Sequence, residues 1–184
     1  MNETQLSDLK RYKGEYNESI KLSSLLIPGF RYTYLLRLAS HYNKKCLKGL
    51  IYRYLLRKYS IKYGIQIYPS TEIGRGLYIG HWGTIIVNRN AKIGENCNLS
   101  SGVTIGQTNR GEKQGCPTIG NKVWIGTNAV IVGKINIGNN VMIAPNGFVN
   151  FDVPDNSIVV GNPGNIIRKE NPTKGYIENI YEKQ

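Results

Sequence analysis

The chain has 184 residues and a formal net charge of +12, from 24 Lys and Arg against 12 Asp and Glu. This length suits one domain with an appendage, and no stretch is apolar for long enough to predict a membrane-spanning helix. The N-terminal sequence MNETQLSDLK lacks the apolar core of a signal peptide, so we expect a cytoplasmic protein. An odd number of cysteines without CxxC spacing favours neither a disulfide framework nor a metal site: Cys46, Cys97 and Cys116.

The positive charge is concentrated in residues 1–62, which hold 13 Lys and Arg against four acidic residues. Asp and Glu are absent from Ser19 through Thr71. Apolar spacing predicts a short helix around Leu6 to Tyr16, a second from Phe30 to about Lys45, and a third that starts at Leu47 and stops at Gly64. We therefore expect a basic helical segment before the main domain.

Ten of the 13 tyrosines precede Pro69, and most of them are interleaved with Arg and Lys. One interpretation is that Tyr and Leu pack on the rest of the protein or on a neighbouring subunit, while the basic groups stay in water. Another is peripheral contact with an anionic membrane, at its inner face, or with a lipid-linked substrate. Nucleic acid is not expected, because no helix-turn-helix or RNP-type signature is present. The apolar stripe predicted on the third helix comprises Leu47, Leu50, Ile51, Tyr54 and Leu55.

Aliphatic residues recur at every sixth position from Tyr63 to about Ile167, and the residue after each is mostly Gly or another small residue. Neither a helix nor a simple strand has this period. A six-residue repeat predicts a parallel β-helix, in which short strands alternate with tight turns. One aliphatic ladder is expected to fill the inside of the column, with small residues at its corners: Ile67, Ile73, Ile79, Ile85, Val87, Ile93, Leu99, Ile105, Ile119, Ile125, Ile131, Ile137, Ile143 and Val149.

The repeat is interrupted twice. Functional residues of a regular solenoid usually lie at such interruptions. The register slips by two residues between Ile85 and Val87. A longer interruption after Ile105 predicts an extruded loop over residues 107–115.

We expect the β-helix domain to span residues 63–167. A polar tail follows in residues 168–184, with a short docking helix around Tyr176 to Tyr181.

The candidate catalytic residue is His81, one of two histidines in the chain. It lies in Gly80-His81-Trp82-Gly83, where the glycines let the backbone project a side chain and let a ligand approach closely. A neutral imidazole is the natural general base for removing a hydroxyl proton. The alternative is a histidine that only caps a turn. We expect His41, among the Tyr and Leu positions of the second helix, to be a surface or packing residue.

Residues 63–169 resemble the hexapeptide-repeat acyltransferases, and within them the serine O-acetyltransferase-like branch that includes O-acetyltransferases of bacterial capsular and exopolysaccharide synthesis. The resemblance implies a mainly β chain with a left-handed parallel β-helix, and a homotrimer in which acetyl-CoA lies between adjacent columns. It is carried by the segments IYPSTEIGRGLYIGHWGTIIVN, GVTIGQTNRGEKQGCPTIGNKVWIGTNAVIVGKINIGNN and VVGNPGNIIRK.

The resemblance also assigns roles to residues. The catalytic base falls on His81, and the turn that stabilises the oxyanion near the pantetheine falls on Gly106, Gln107 and Thr108. Because a backbone N–H makes that contact, Gln107 in place of a glycine is compatible with it. No metal is required. The resemblance also implies two further sets of residues. Those expected to contact CoA are Gly126, Thr127, Ala144, Pro145, Arg168 and Lys169, and those expected in a substrate loop are Trp82, Gln114 and Cys116.

Three departures from the family pattern concern the acceptor and the base. Serine acetyltransferases carry Asp where this chain has Gly80, and a second Asp, which orients the imidazole, where it has Gln66. Their amino-acid loop ends in Asp-Arg-His-Pro, whereas this chain has Gln114-Gly115-Cys116-Pro117, without an Arg to bind the carboxylate of serine. Cys116 has no neighbouring group in sequence that would activate it, so we do not expect it to carry an acyl group.

We therefore predict an acetyl-CoA-dependent O-acetyltransferase in surface polysaccharide biosynthesis. Its acceptor is expected to be a hydroxyl of a nucleotide-linked, lipid-linked or polymeric saccharide. One alternative is a serine O-acetyltransferase of cysteine biosynthesis. An alternative of another class is a non-catalytic trimeric β-helix scaffold.

Overall fold

The computed structural model describes residues 3–14 and 21–182, and its helices lie close to the predicted ones. The first begins slightly earlier than expected, and the predicted end at Tyr16 lies outside the described residues. The second ends before Tyr42, whose backbone is extended, and the third ends at a left-handed Gly64 (φ 69°), as predicted. The helices are α1 (Glu3–Lys13), a 3₁₀ helix (Leu22–Leu26), α2 (Pro28–His41) and α3 (Leu47–Tyr63).

Short strands occupy the rest of the described chain, as the six-residue repeat predicts. They are β1 (Ile65–Ile67), β2 (Glu72–Ile73), β3 (Tyr78–Ile79), β4 (Ile85–Val87), β5 (Lys92–Ile93), β6 (Asn98–Leu99), β7 (Thr104–Gly106), β8 (Thr118–Ile119), β9 (Val123–Ile125), β10 (Val130–Val132), β11 (Asn136–Ile137), β12 (Val141–Ile143), β13 (Phe148–Val149), β14 (Ser157–Val160) and β15 (Asn165–Arg168).

These strands form the predicted left-handed parallel β-helix. Sheet A contains β1, β4, β7, β10 and β13, sheet B contains β2, β5, β8 and β11, and sheet C contains β3, β6, β9, β12, β14 and β15. Pairing is parallel except between β14 and β15. The chain visits the sheets in the order A, B, C, so the column has three edges. We call them the A/B, B/C and C/A edges, after the strands that each turn connects.

The aliphatic ladder fills the column, as the repeat predicts. Ile79, Ile85, Ile105, Ile125 and Ile131 are fully buried. The residues two positions before each ladder residue, several of them small, also point inward. They do not stand at the corners, where we expected the small residues to lie. Strands β1, β4 and β9 bury their first and third side chains and leave the second at least partly exposed, so each of these strands contributes two inward positions. The inward small residues are Ala91, Cys97, Val103, Val123, Ala129 and Val141.

Buried ionic contacts attach α1 and α2 to the first coil. Arg37 on α2 binds both carboxylate oxygens of Asp8 on α1, at 3.0 and 3.1 Å, and donates to the carbonyl groups of Ile73 and Gly74. Asp8 also accepts from the backbone N–H of Leu77, at 2.9 Å. The helical segment is therefore fixed to the end of the column.

The C-terminal tail crosses sheet C towards α1, and its described residues contain no helix beyond β15, so the predicted docking helix is wrong. Asn96 exchanges hydrogen bonds with the backbone of Tyr181, and Arg11 donates to the carbonyl of Glu178. Side-chain amides at the B/C edge provide the hydrogen bonds that a helix would supply internally.

The predicted apolar stripe of α3 faces outward. Leu47 is 73% exposed and Tyr54 is 68% exposed, whereas Leu55 packs against the core. Within one chain, therefore, most of the stripe stays exposed. No helix in residues 3–14 and 21–182 combines the length and apolarity that a membrane crossing requires.

Candidate active site

Two additional residues in the turn between β3 and β4 project His81 from the C/A edge. Ile65 pairs with Ile85, 20 residues further along, whereas Val87 pairs with Ile105, only 18 residues further along. Strand β3 also pairs with β6 at a spacing of 20 residues, with Ile79 beside Leu99. The slip that the sequence shows at residues 85–87 therefore arises from a longer turn at residues 80–84.

The C-terminal end of α3 braces this turn. The backbone N–H of Gly83 donates to the carbonyl of Tyr63 at 2.9 Å, and the N–H of Ile85 donates to the carbonyl of Gly64 at 3.0 Å. Gly83 has a φ of 144°, which a side chain disfavours, and a Cβ there would lie 3.2 Å from Ser101 Cβ. The turn is thus held on the C-terminal side of His81, while His81 itself stays exposed.

The imidazole of His81 has no hydrogen-bond or ionic partner among the described residues. Gln66, at the position of the family's orienting Asp, points outward from β1, and its side-chain amide donates to the Tyr68 hydroxyl at 3.3 Å. The indole ring of Trp82 is 60% exposed and lies 6.5 Å from the ring of Tyr63. Within one chain, therefore, the imidazole stands free for a ligand or for a neighbouring subunit.

The small residues predicted to line the CoA groove lie along the same C/A edge as His81. Gly126 and Thr127 follow β9, and Ala144 and Pro145 follow β12, one coil further along. A Cβ at Gly126 would lie 2.7 Å from the backbone N of Pro145. The turns therefore stack closely along this edge.

The turn assigned to the oxyanion lies on a different edge. Gly106 ends β7 in sheet A, so Gln107 and Thr108 start the excursion at the A/B edge. Thr108 and Gly115 exchange two backbone hydrogen bonds, at 3.0 and 2.9 Å, which close the excursion as a hairpin-like loop. Gln107 is exposed, and its side-chain oxygen accepts from Asn88 at 3.2 Å.

The substrate-loop residues Gln114 and Cys116 share this A/B edge. Gln114 is exposed, and its backbone N–H donates to Gly111 within the loop. Cys116 is half-buried and packs against the core, and desolvation raises the pKa of its thiol. Its raised pKa disfavours the thiolate, so the structure gives no support for Cys116 as a nucleophile.

Arg168 and Lys169 lie at the B/C edge. The guanidinium of Arg168 donates to the carbonyl of Asp155 at 2.8 Å, and the backbone N–H of Lys169 donates to Asn156. One chain therefore places His81, Trp82 and the four small residues predicted to contact CoA on the same edge. It places Gly106–Thr108, Gln114 and Cys116 on a second edge, and Arg168 and Lys169 on a third.

Two open grooves flank β1, and the sequence reasoning missed both. The first, of about 730 Å³, lies between α3 and the outer faces of β1 and β4, and Arg53, Arg57 and Gln66 line it. The second, of about 790 Å³, contains Lys44 and Arg89 and shares Arg53 with the first. In the sequence, Arg53 and Arg57 are recognisable only as polar positions outside the predicted apolar stripe of α3, and only the packing of α3 beside sheet A shows that they line a groove. No group of three His, Cys, Asp or Glu side chains suited to a metal occurs in the described residues.

Comparison with known proteins gives one consistent answer. The serine acetyltransferase of Helicobacter pylori is 34% identical to this chain over 146 residues, covering 79% of this chain and 85% of that protein. The serine acetyltransferase of Staphylococcus xylosus is 38% identical over 107 residues, but the match covers only half of that protein. No family model matches the chain.

The chain belongs to the serine acetyltransferase family.

Solved structures of the family agree with this assignment. The serine acetyltransferase of Brucella abortus in complex with coenzyme A has a TM-score of 0.75 and 27% identity, covering 90% of this chain and 67% of that one. The Neisseria gonorrhoeae enzyme in complex with serine has a TM-score of 0.71 and 29% identity, covering 89% and 67%.

The protein is thus an acyltransferase, and acetyl-CoA is its co-substrate. The comparisons confirm the acyltransferase family, but they do not support the capsular and exopolysaccharide branch that we expected.

Proposed function

We propose that this member of the family acetylates a hydroxyl group with His81 as the general base. The imidazole takes the proton of the acceptor hydroxyl as the oxygen attacks the thioester carbon of acetyl-CoA. Backbone N–H groups at the Gln107 turn stabilise the resulting oxyanion. The tetrahedral intermediate then expels the CoA thiolate, which takes the proton back from the imidazolium. The observation that carries this proposal is the lengthened turn that projects His81 beside a stacked edge of small residues.

A homotrimer would complete the site. His81 and Gln107 lie on different edges of one column, and a column that places its A/B edge against the C/A edge of a neighbour brings them together. Cyclic repetition of that contact closes a ring, and a three-sided column suits three subunits. The scaffold alternative is not favoured, because the chain belongs to an enzyme family and presents an exposed imidazole that pairs with none of the described residues.

Two acceptors each have an observation in their favour. The relatives are named as serine acetyltransferases, and this favours L-serine over the saccharide that we expected. The residues of this chain favour a saccharide hydroxyl, because the loop offers Gln114, Gly115 and Cys116 and no Arg for the carboxylate of serine. The comparisons do not support the expected peripheral membrane contact, and we do not propose it.

The test is acetyl transfer to L-serine and to a panel of sugars, by wild type and by His81→Ala. Loss of a general base is expected to slow transfer by roughly 10²- to 10⁴-fold. The measurement is the rate of acetylated product formation, with CoA binding followed by calorimetry as a check that the fold and groove survive.

Turnover by His81→Ala at the wild-type rate would show that His81 is not the general base. Transfer to serine in preference to every sugar would decide the acceptor for serine, and the reverse preference would decide it for a saccharide.

A further inference from the structure

The groove between α3 and sheet A has the features of an anion-binding site. Its floor is formed by outward residues of β1 and β4, and the part of α3 from Arg53 to Ile61 forms its wall. The polar groups that line it are all neutral or positively charged, with no Asp or Glu among them. The lining residues are Arg53, Leu56, Arg57, Ser60, Ile61, Gly64–Pro69, Thr84 and Ile86.

Arg53 is the least satisfied cation in this groove. Its Nε atom is buried, yet it has no hydrogen-bond partner among residues 3–14 and 21–182. Neither Arg53 nor Arg57 forms an ion pair within those residues. A guanidinium that is partly withdrawn from water and lacks an acceptor interacts most favourably with an oxyanion, which it binds through paired N–H groups.

The surrounding charges do not neutralise the two arginines. The second groove joins the first at Arg53, Tyr68 and Pro69, and adds Lys44 and Arg89. Its acidic residue, Glu72, is paired with Lys92 at 3.0 Å. The combined space therefore suits an elongated ligand that carries negative charge.

The groove adjoins the turn that carries His81. Gly64 and Thr84 line it, and the carbonyl of Gly64 accepts the N–H of Ile85 at the end of that turn. A ligand bound along α3 that extends to Gly64 and Thr84 would thus reach the turn that carries His81, although His81 is not among the residues that line the groove. This arrangement separates the binding of an acidic group from the base that removes the hydroxyl proton.

We propose that Arg53 and Arg57 bind a carboxylate or phosphate of the acceptor while its hydroxyl is presented to His81. This inference rests on the proposed function and specifies its acceptor as an acid. Serine supplies a carboxylate, but its ammonium would meet no carboxylate in this groove. An acidic or phosphorylated sugar places its charge on the arginines and leaves only neutral hydroxyls for the remaining lining.

The test measures binding rather than turnover. Glucose 1-phosphate, glucuronate, L-serine and glucose are titrated into the full-length protein by calorimetry, with CoA present at saturation so that anions do not occupy the CoA site. We expect the two sugar acids to bind and glucose to bind at least tenfold more weakly, on the scale of charge-assisted hydrogen bonds.

Arg53→Gln, Arg57→Gln and the double variant are compared with Lys58→Gln. Lys58 is exposed on the same helix and lies outside both grooves, so the control removes the same charge. Each arginine substitution is expected to weaken binding of the acids by roughly 10- to 100-fold and to leave glucose binding unchanged. Lys58→Gln is expected to bind all four compounds as wild type does.

Equal binding of glucose and the acids by wild type would overturn the inference, as would equal losses in the arginine variants and Lys58→Gln. Selective binding of serine would identify the anion as an amino-acid carboxylate and overturn the preference for a sugar acid. None of these results depends on acetyl transfer. The proposed function is tested independently, by the transfer assay of His81→Ala.

Discussion

At the scale of single residues, the proposed chemistry of this chain depends on one imidazole that has no partner within residues 3–14 and 21–182. Gly80-His81-Trp82-Gly83 could be selected from sequence, because glycines on both sides of a histidine interrupt a regular repeat. The reason why His81 projects from the column could not be predicted from the sequence. Only the strand pairing shows that the turn at residues 80–84 is two residues longer than the corresponding turn of the next coil.

The three cysteines are expected to differ in reactivity towards a thiol reagent. Cys46 is exposed, and its thiol is expected to react first. Cys116 is expected to react more slowly, because desolvation raises its pKa. Burial raises the pKa of Cys97 to about 12, so this thiol stays protonated at neutral pH and is expected to react only after unfolding. Peptide mapping by mass spectrometry after timed labelling measures the order.

Faster labelling of Cys116 than of Cys46 would contradict this order. It would mean that Cys116 has an activated thiolate, and the acyl-enzyme alternative would then deserve a direct search for an acetylated Cys116.

At the scale of elements, the repeat predicted the strands well because each aliphatic position faces the same narrow interior. The contacts of the helices were not predictable in the same way. Asp8 and Arg37 lie on different helices, and hydrophobic periodicity carries no information about which charged residues become buried together. The tail was predicted wrongly for a related reason, because the amide groups of Asn96 and Asn98 replace the hydrogen bonds of a helix.

Asp8→Asn is expected to destabilise the protein by about 3–5 kcal/mol, because it leaves the buried guanidinium of Arg37 without its charged partner. Urea denaturation measures the change in the free energy of unfolding.

Glu72→Gln is the matched control, because it breaks the exposed Lys92–Glu72 pair, and its expected effect is under about 1 kcal/mol. Equal effects of the two substitutions would mean that the Asp8–Arg37 pair does not anchor the helices.

At the scale of the whole molecule, one column separates the groups to which we assign roles in the proposed reaction. His81 and the small residues predicted to contact CoA share the C/A edge, whereas Gln107 and the loop over residues 107–115 stand at the A/B edge. The sequence predicted both sets of residues but could not show their separation, because the assignment of strands to sheets decides which edge each turn occupies. A site formed between subunits follows from that separation.

Complementation between two inactive variants tests this central claim most directly. His81→Ala keeps the loop. The second variant keeps His81 but replaces residues 109–114 with Asn-Gly, a two-residue turn that suits the Thr108–Gly115 hydrogen-bonded pair. Each protein alone is expected to be inactive in acetyl transfer, because the first lacks the proposed base and the second lacks Gln114 of the predicted substrate loop.

The measurement is the transfer rate after the two variants are unfolded, mixed in equal amounts and refolded together. In a trimer with sites between neighbouring subunits, random mixing restores about a quarter of the wild-type sites, because each restored site needs one defined partner on either side. Activity near that level is the predicted result. A mixture that stays as inactive as its components, or a loop variant that is fully active by itself, would contradict the account.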